Sequence, residues 1–326
     1  MPLSISSSST LAVTPLQRGS ASSHDRSIWS TKLWILLLLV LLATLLVSTE
    51  LTAKFGLERI SKIHRRIMGE AEAASQIRHA GPGEPKTLLF VGNSLLLQGI
   101  DLARIQQDEA SHLHVYRYVV EDTAWYDWYY GIKNLLRSGA RPDYMVLCMA
   151  DLHFVSSAMR GEFSARYLFG FRDIWPLSRD LHLDMTSTSN LYAAQLSTFY
   201  ATRSEIRQVL MGKSVPAVPQ LMHDLTVTSA PPMSDERMLT IAAPRFVQLR
   251  EACEAYQVRC VILMVPILRE PTRAIQQAAE EAKIPSYRPM PNQGISRELY
   301  SDGYHLSEEG SEIYTSAVES ELTTWK

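Results

Sequence analysis

Cysteine is scarce: Cys148, Cys253 and Cys260 are the only three in 326 residues, and three cannot all pair within one chain. A disulfide-built fold is excluded. Cys148 sits in an apolar run that reads as a buried strand, and the Cys253–Cys260 spacing reads as a helix running into a strand, so both are expected as buried thiols. An excess of either charge is also missing, with 32 basic against 34 acidic residues. The field that draws proteins to polyanions is therefore absent, and no nucleic-acid partner is expected. Internal repeats are absent too, which excludes a solenoid. The 46% apolar content of a chain this long supplies a sizeable core.

One stretch has no charge at all. From Leu33 to Thr49 the chain reads LWILLLLVLLATLLVST, and 17 helical residues cover roughly 25 Å, against about 30 Å for a hydrocarbon core. An uncleaved membrane helix is expected over 33–49, with Trp29 and Trp34 at one interface. A signal peptide fits less well, because the leader is long and no small-x-small site follows cleanly. Arg18, Arg26 and Lys32 precede the span while Lys54, Arg59, Lys62, Arg65 and Arg66 follow it, so flanking charge leaves both orientations open. The serine-rich residues 1–32 read as a disordered tail. Residues 50–80, with Phe55, Leu57, Ile60, Ile63 and Ile67 near helical spacing, read as a stalk helix and linker.

The GPGEP run at Gly81–Pro85 marks the start of a domain over 86–326. Apolar runs at Thr87–Val91, Val115–Val120, Tyr144–Ala150 and Val258–Val265 predict strands buried on both faces. Helical patterns at Leu102–Glu109, Asp127–Arg137, Glu236–Tyr256 and Ser307–Leu322 alternate with them. This is the order of an α/β fold with a parallel sheet between two helical layers. Residues 154–232 break the alternation and predict a helical insertion. Its aromatic and basic residues, among them Phe163, Phe171, Trp175, Tyr192 and Arg203, pack it onto the domain or form a cap or partner surface.

The first strand runs into VGNSLLLQGID, which places Ser94 just beyond a buried strand and ahead of a helix whose N–H groups can face a developing oxyanion. Near the other end, YSDGYHLSEEG places Asp302 three residues before His305, upstream of a helix that Ser307 can cap. A serine hydroxyl needs an imidazole to take its proton and a carboxylate to set the imidazole tautomer. Ser94, His305 and Asp302 supply those groups. His112 with His114, and Asp151 with His153, are pairs that lack a third convergent ligand for a metal site. Asp151 and His153 follow the third strand and border the same crevice as Ser94, which makes them candidate substrate contacts. Asp184, His223 and Asp224 carry no interpretable spacing.

With Gly92-Asn93-Ser94 after the first strand and Asp302-x-x-His305 before the last helix, the chain resembles the SGNH (GDSL-like) hydrolase superfamily. The resemblance follows the order of elements from about Lys86 onward, leaving the insertion unmatched. It implies a flavodoxin-like α/β/α fold and a metal-free serine esterase or acyltransferase mechanism. That family places an oxyanion-hole glycine after strand two and an asparagine after strand three, where this chain reads VVEDTAWYD and VLCMADLHF. An amide of Thr123 or Ala124 can replace the first donor, and Ala150–Asp151 stands where Asn-Asp is expected. The candidate oxyanion and substrate contacts are therefore Asn93, Thr123, Ala124, Asp151 and His153. Loss of one donor typically costs about a hundredfold in rate, which also admits an impaired, binding or assembly role. Anchored members with divergent middle blocks resemble bacterial proteins that O-acetylate exported polysaccharides beside membrane-bound acyltransferases. The analogy implies an acylated carbohydrate substrate, a membrane-bound O-acyltransferase partner, and a single-pass protein of the inner (cytoplasmic) membrane with a periplasmic or extracellular domain.

Overall fold

The computed structural model describes residues 23–214, 233–268, 272–290 and 296–323. Tail residues 1–22 and insertion residues 215–232, with His223 and Asp224, lie outside the described residues. The chain divides into two compact units, 1–51 and 52–326.

In the first unit helix α1 begins at Ser23 and runs on to Ile60. Its Thr31–Leu57 portion is long and apolar enough to cross a membrane, with leucine side chains facing outward along it. Residues 23–32, expected in the tail, are helical and continuous with the apolar run.

The second unit is built on five parallel strands, β1 (Lys86–Gly92), β2 (Leu113–Val119), β3 (Tyr144–Met149), β4 (Arg259–Met264) and β5 (Ser286–Tyr287), in spatial order β2-β1-β3-β4-β5. Strand residues alternate between two cores. Leu88 and Phe90 face a layer formed by α3 (Ser94–Gly99), α4 (Leu102–Asp108) and the C-terminal helix. Leu89 and Val91 face α2 (Lys62–Gln76) and α5 (Trp125–Arg137), together with the helices that follow β3. The result is the expected α/β/α sandwich. Sheet order reverses between β1 and β3, and the crevice beyond their carboxyl ends is where open α/β sheets hold ligands.

Helix α2 (Lys62–Gln76) departs from the expected stalk. Ser61 interrupts the helix and caps α2, accepting from the His64 amide at 3.1 Å. Ile67 and Ala74 are wholly buried against the sheet while Ile63 is exposed. Glu70 accepts from the Val119 amide at 2.9 Å and Arg66 donates to the Val119 carbonyl at 2.9 Å, so α2 satisfies the last residue on the outer edge of β2. Of the apolar positions assigned to a free stalk Ile67 belongs to the core, while Phe55 and Ile63 are exposed, and the domain begins before Lys86.

After β3 come α6 (Asp151–Val155), α7 (Glu162–Tyr167), α8 (Ile174–Asp180), α9 (Met185–Leu196) and α10 (Thr198–Ser214), with no strand among the described residues of the insertion. The insertion rests on α5, where Asn134 donates to the Leu168 carbonyl at 3.1 Å, and on β2, where the Tyr118 hydroxyl donates to the Tyr167 carbonyl. Phe163 and Phe169 are buried, whereas Phe171, Trp175, Met185 and Leu196 are exposed. Helices α11 (Asp235–Glu254), α12 (Ala274–Glu281) and α13 (Glu308–Leu322) complete the layers. All three cysteines are free and buried.

The end of β1 is held close to β3. A Cβ on Gly92 would lie 2.2 Å from the Cys148 carbonyl oxygen, a backbone atom of a core strand that cannot yield. Gly92→Ala is expected to destabilise the domain by about 3 kcal/mol through overpacking, measured as a lowered denaturant midpoint.

Candidate active site

Ser94 opens α3 directly after β1. Asn93 is the N-cap: its Oδ1 accepts from the Leu95 amide at 3.1 Å, and its Nδ2 donates to the Thr123 carbonyl at 3.0 Å. Asn93 is buried with both ends of its amide engaged. It ties the serine turn to the loop after β2.

Asp302 and His305 occupy the loop before α13. Gly303 takes a left-handed φ of +80°, and the chain doubles back so that Asp302 Oδ1 accepts from the amides of Tyr304 at 2.9 Å and His305 at 2.7 Å. The other oxygen, Oδ2, lies 2.7 Å from His305 Nδ1. An antiparallel bridge between Tyr300 and Leu306 closes the loop, and the Ser301 amide donates to the His305 carbonyl at 2.8 Å. Ser307 then caps α13. Tyr314 on that helix donates to the Met264 carbonyl at 2.8 Å, fixing α13 against the end of β4.

These elements bring His305 Nε2 to 2.9 Å from Ser94 Oγ. With Nδ1–H donating to the Asp302 carboxylate, Nε2 is left to accept the serine hydroxyl proton. Partial burial raises the Asp302 pKa, but the bonds from the His305 amide, the His305 ring and the Tyr304 amide outweigh it and hold the carboxyl down to about 2. It is ionised throughout the range in which an imidazole can act as a base.

The loop after β2 divides the two backbone donors expected from it. Asp122 adopts a left-handed φ of +55°, a conformation open to aspartate though glycine is its usual occupant. Ala124 does not serve, because its amide donates to Asp127 Oδ2 at 2.9 Å at the start of α5. Thr123 is pinned through its side chain, which donates to the Val120 carbonyl and accepts from Trp128 Nε1 at 2.9 Å. Among the described residues no hydrogen bond is formed by the amides of Ser94 or Thr123, and the Thr123 carbonyl is tied to the serine turn through Asn93.

Asp151 and His153 also have partners that the linear pattern hides. Both Asp151 oxygens accept from Arg288, at 2.8 and 2.9 Å. Its carboxylate is thus consumed in a buried tie between the end of β3 and the segment after β5, not offered to a substrate. His153 Nε2 lies 2.8 Å from the hydroxyl of Tyr304. Tyr304, Asp122, Asp127 and Arg288 went unrecognised in the sequence. Only Asp122 had a local signal, an aspartate ending an apolar run. Among the described residues no cluster of three His, Cys, Asp or Glu side chains could hold a metal ion.

No family model and no curated protein matches the chain. Similar solved structures include a catalytic mutant of an acetylxylan esterase from Geobacillus stearothermophilus, 13% identical, covering 74% of this chain and 95% of that one with a TM-score of 0.37. The psychrotrophic esterase EstA from a Pseudoalteromonas species is 10% identical over 74% of this chain and 98% of that one, with a TM-score of 0.40. A GDSL-like lipase from Bacteroides thetaiotaomicron is 11% identical over 80% and 98%, with a TM-score of 0.38. At such distances the chemistry rests on the geometry of the site.

Burial raises the Asp127 pKa from 3.8 to about 6, against the opposing bonds from Ala124 and Arg160. A folded-state pKa above the unfolded value means that the folded protein holds the proton longer, so this contribution to stability is full below about pH 4 and lost as pH rises through 6. Wild-type stability is expected to fall by about 2 kcal/mol between pH 4 and pH 7 through this group. Asp127→Asn should remove that slope, as read from denaturant melts at a series of pH values.

Proposed function

We propose that the chain is an SGNH-type serine esterase or O-acyltransferase, anchored in a bacterial cytoplasmic membrane and acting on an acylated, exported carbohydrate. The observation that carries the reading is the continuous relay from Ser94 Oγ through His305 to the Asp302 carboxylate, at 2.9 and 2.7 Å. In this reading His305 takes the proton as Ser94 attacks the acyl carbonyl, and the amides of Ser94 and Thr123 face the oxyanion. Collapse of the tetrahedral intermediate expels the alcohol, protonated by His305, and leaves an acyl-serine. Water resolves it in hydrolysis and a sugar hydroxyl in transfer, with His305 again the base.

The carbohydrate substrate and a membrane-bound acyltransferase partner are supported by the resemblance to anchored SGNH-like proteins, and the bilayer by the apolar helix. A second reading, a binding or assembly protein with impaired turnover, is favoured by the engaged Ala124 amide and by the lack of an asparagine side chain after β3.

Acetate release from p-nitrophenyl acetate and acetylated sugars, and transfer to an oligosaccharide, test the chemistry. Ser94→Ala is expected to fall to background and Asp302→Asn to lose about a thousandfold in kcat. Equal rates for wild type and Ser94→Ala would overturn the enzyme reading, and full rescue of a deletion strain by Ser94→Ala would establish the assembly role. For topology, alkaline phosphatase fused after Lys326 is expected to be active. An inactive phosphatase with a fluorescent counterpart fusion would instead put the domain in the cytoplasm and remove the exported substrate.

A further inference from the structure

Among the described residues, two side chains of the Tyr300–Leu306 loop reach the far side of the crevice: His305 touches Ser94, and Tyr304 touches His153. The Tyr304 ring stands perpendicular to the His305 ring, with centroids 5.0 Å apart and an interplanar angle of 89°. Its other neighbour is the His153 ring, at 6.2 Å and 69°. His153 belongs to α6, directly after β3, so this contact joins the loop to the central sheet. Burial pushes the His153 pKa down to about 4 and the Tyr304 phenol upward. At neutral pH the pair is a phenol and a neutral imidazole joined through Nε2, while the buried Nδ1 of His153 has no hydrogen-bond partner among the described residues.

The loop needs such a tie. Asp302 and His305 are bound to each other within one turn, so they can swing as a body without breaking their own hydrogen bond. The contact that such a swing opens is the one to Ser94. We propose that Tyr304 and His153 are a positioning pair, through which the end of β3 holds the His305 imidazole in the plane that aims Nε2 at Ser94. The inference deepens the serine-hydrolase reading and rests on it. Neither residue is a catalytic group: Tyr304 acts through His305, and His153 through Tyr304. A displacement of about 1 Å at a reacting group costs on the order of a hundredfold, and partial release of one hydrogen-bonded tie a fraction of that.

The test measures kcat and KM on p-nitrophenyl acetate for the full chain, with the rate of labelling by a fluorophosphonate. In labelling, a Ser94 Oγ–P bond forms as the P–F bond breaks and His305 takes the serine proton. Tyr304→Phe, which keeps the ring, and His153→Leu are each expected to lower kcat and labelling about tenfold, with KM unchanged. The double variant should lose no more than either single one, because both remove the same bond. His153→Gln should retain most of the activity, since its amide oxygen accepts from the phenol, and it keeps the test open should His153→Leu fail to fold. Wild-type kcat and labelling in Tyr304→Phe, additive losses in the double variant, or an effect on KM alone would overturn the pair. A wild-type protein that does not label would instead overturn the serine-hydrolase reading beneath it.

Discussion

The close approach of β1 to β3 at Gly92 sets the geometry on which the site depends. Gly92 pairs with Cys148 in register, and the space above its Cα is taken by the Cys148 carbonyl. Because the strands stay in contact to the last residue, the chain leaves the sheet where its order reverses, and Ser94 follows two residues later. Asn93 then needs only its two amide bonds to lock the turn to the neighbouring loop. A side chain at residue 92 would splay the strand ends and move the serine before any contact to His305 was considered.

Ser94 and the Asp302–His305 pair come from two local structures joined by tertiary packing. Asp302 faces His305 Nδ1 through a turn of four residues whose hydrogen bonds are all local. The register between the two halves is a different matter. It is set by α13 docking through Tyr314 on the carbonyl of Met264, and by the crossing from Tyr304 to His153. Local hydrogen bonding makes the base competent, while packing over the sheet decides what it can reach.

What was legible in the sequence followed this division. Strands buried on both faces are continuous apolar runs, and the first four stand within two residues of where the runs lie. Ser94, Asp302 and His305 were legible because the end of a strand and the start of a capped helix are local signals. Strand β5 was not, being two half-buried residues long. The pairing of Asp151 with Arg288 spans 137 positions, and no periodicity carries it. The Ala124 amide was offered as a donor because a backbone group engaged by a side chain three residues on looks the same in sequence as a free one. Residues 62–76 misled for a related reason: an amphipathic stripe is the same pattern whether it faces lipid, solvent or a sheet.

That helix has a consequence for the solubility of the chain. By engaging both backbone groups of Val119 through Glu70 and Arg66, α2 covers the carboxyl end of the outer side of edge strand β2, while Gln106 takes up the Val115 amide and the Leu113 carbonyl farther along it. A protein trimmed to begin at the first strand would lose this cover, leaving the Val119 amide and carbonyl open on that edge beside the apolar face on which Ile67 and Ala74 pack. Such edges template intermolecular strand pairing. The segment following the apolar helix thus shields that end of the edge, and a fragment meant to stay soluble is expected to begin upstream of Ser61.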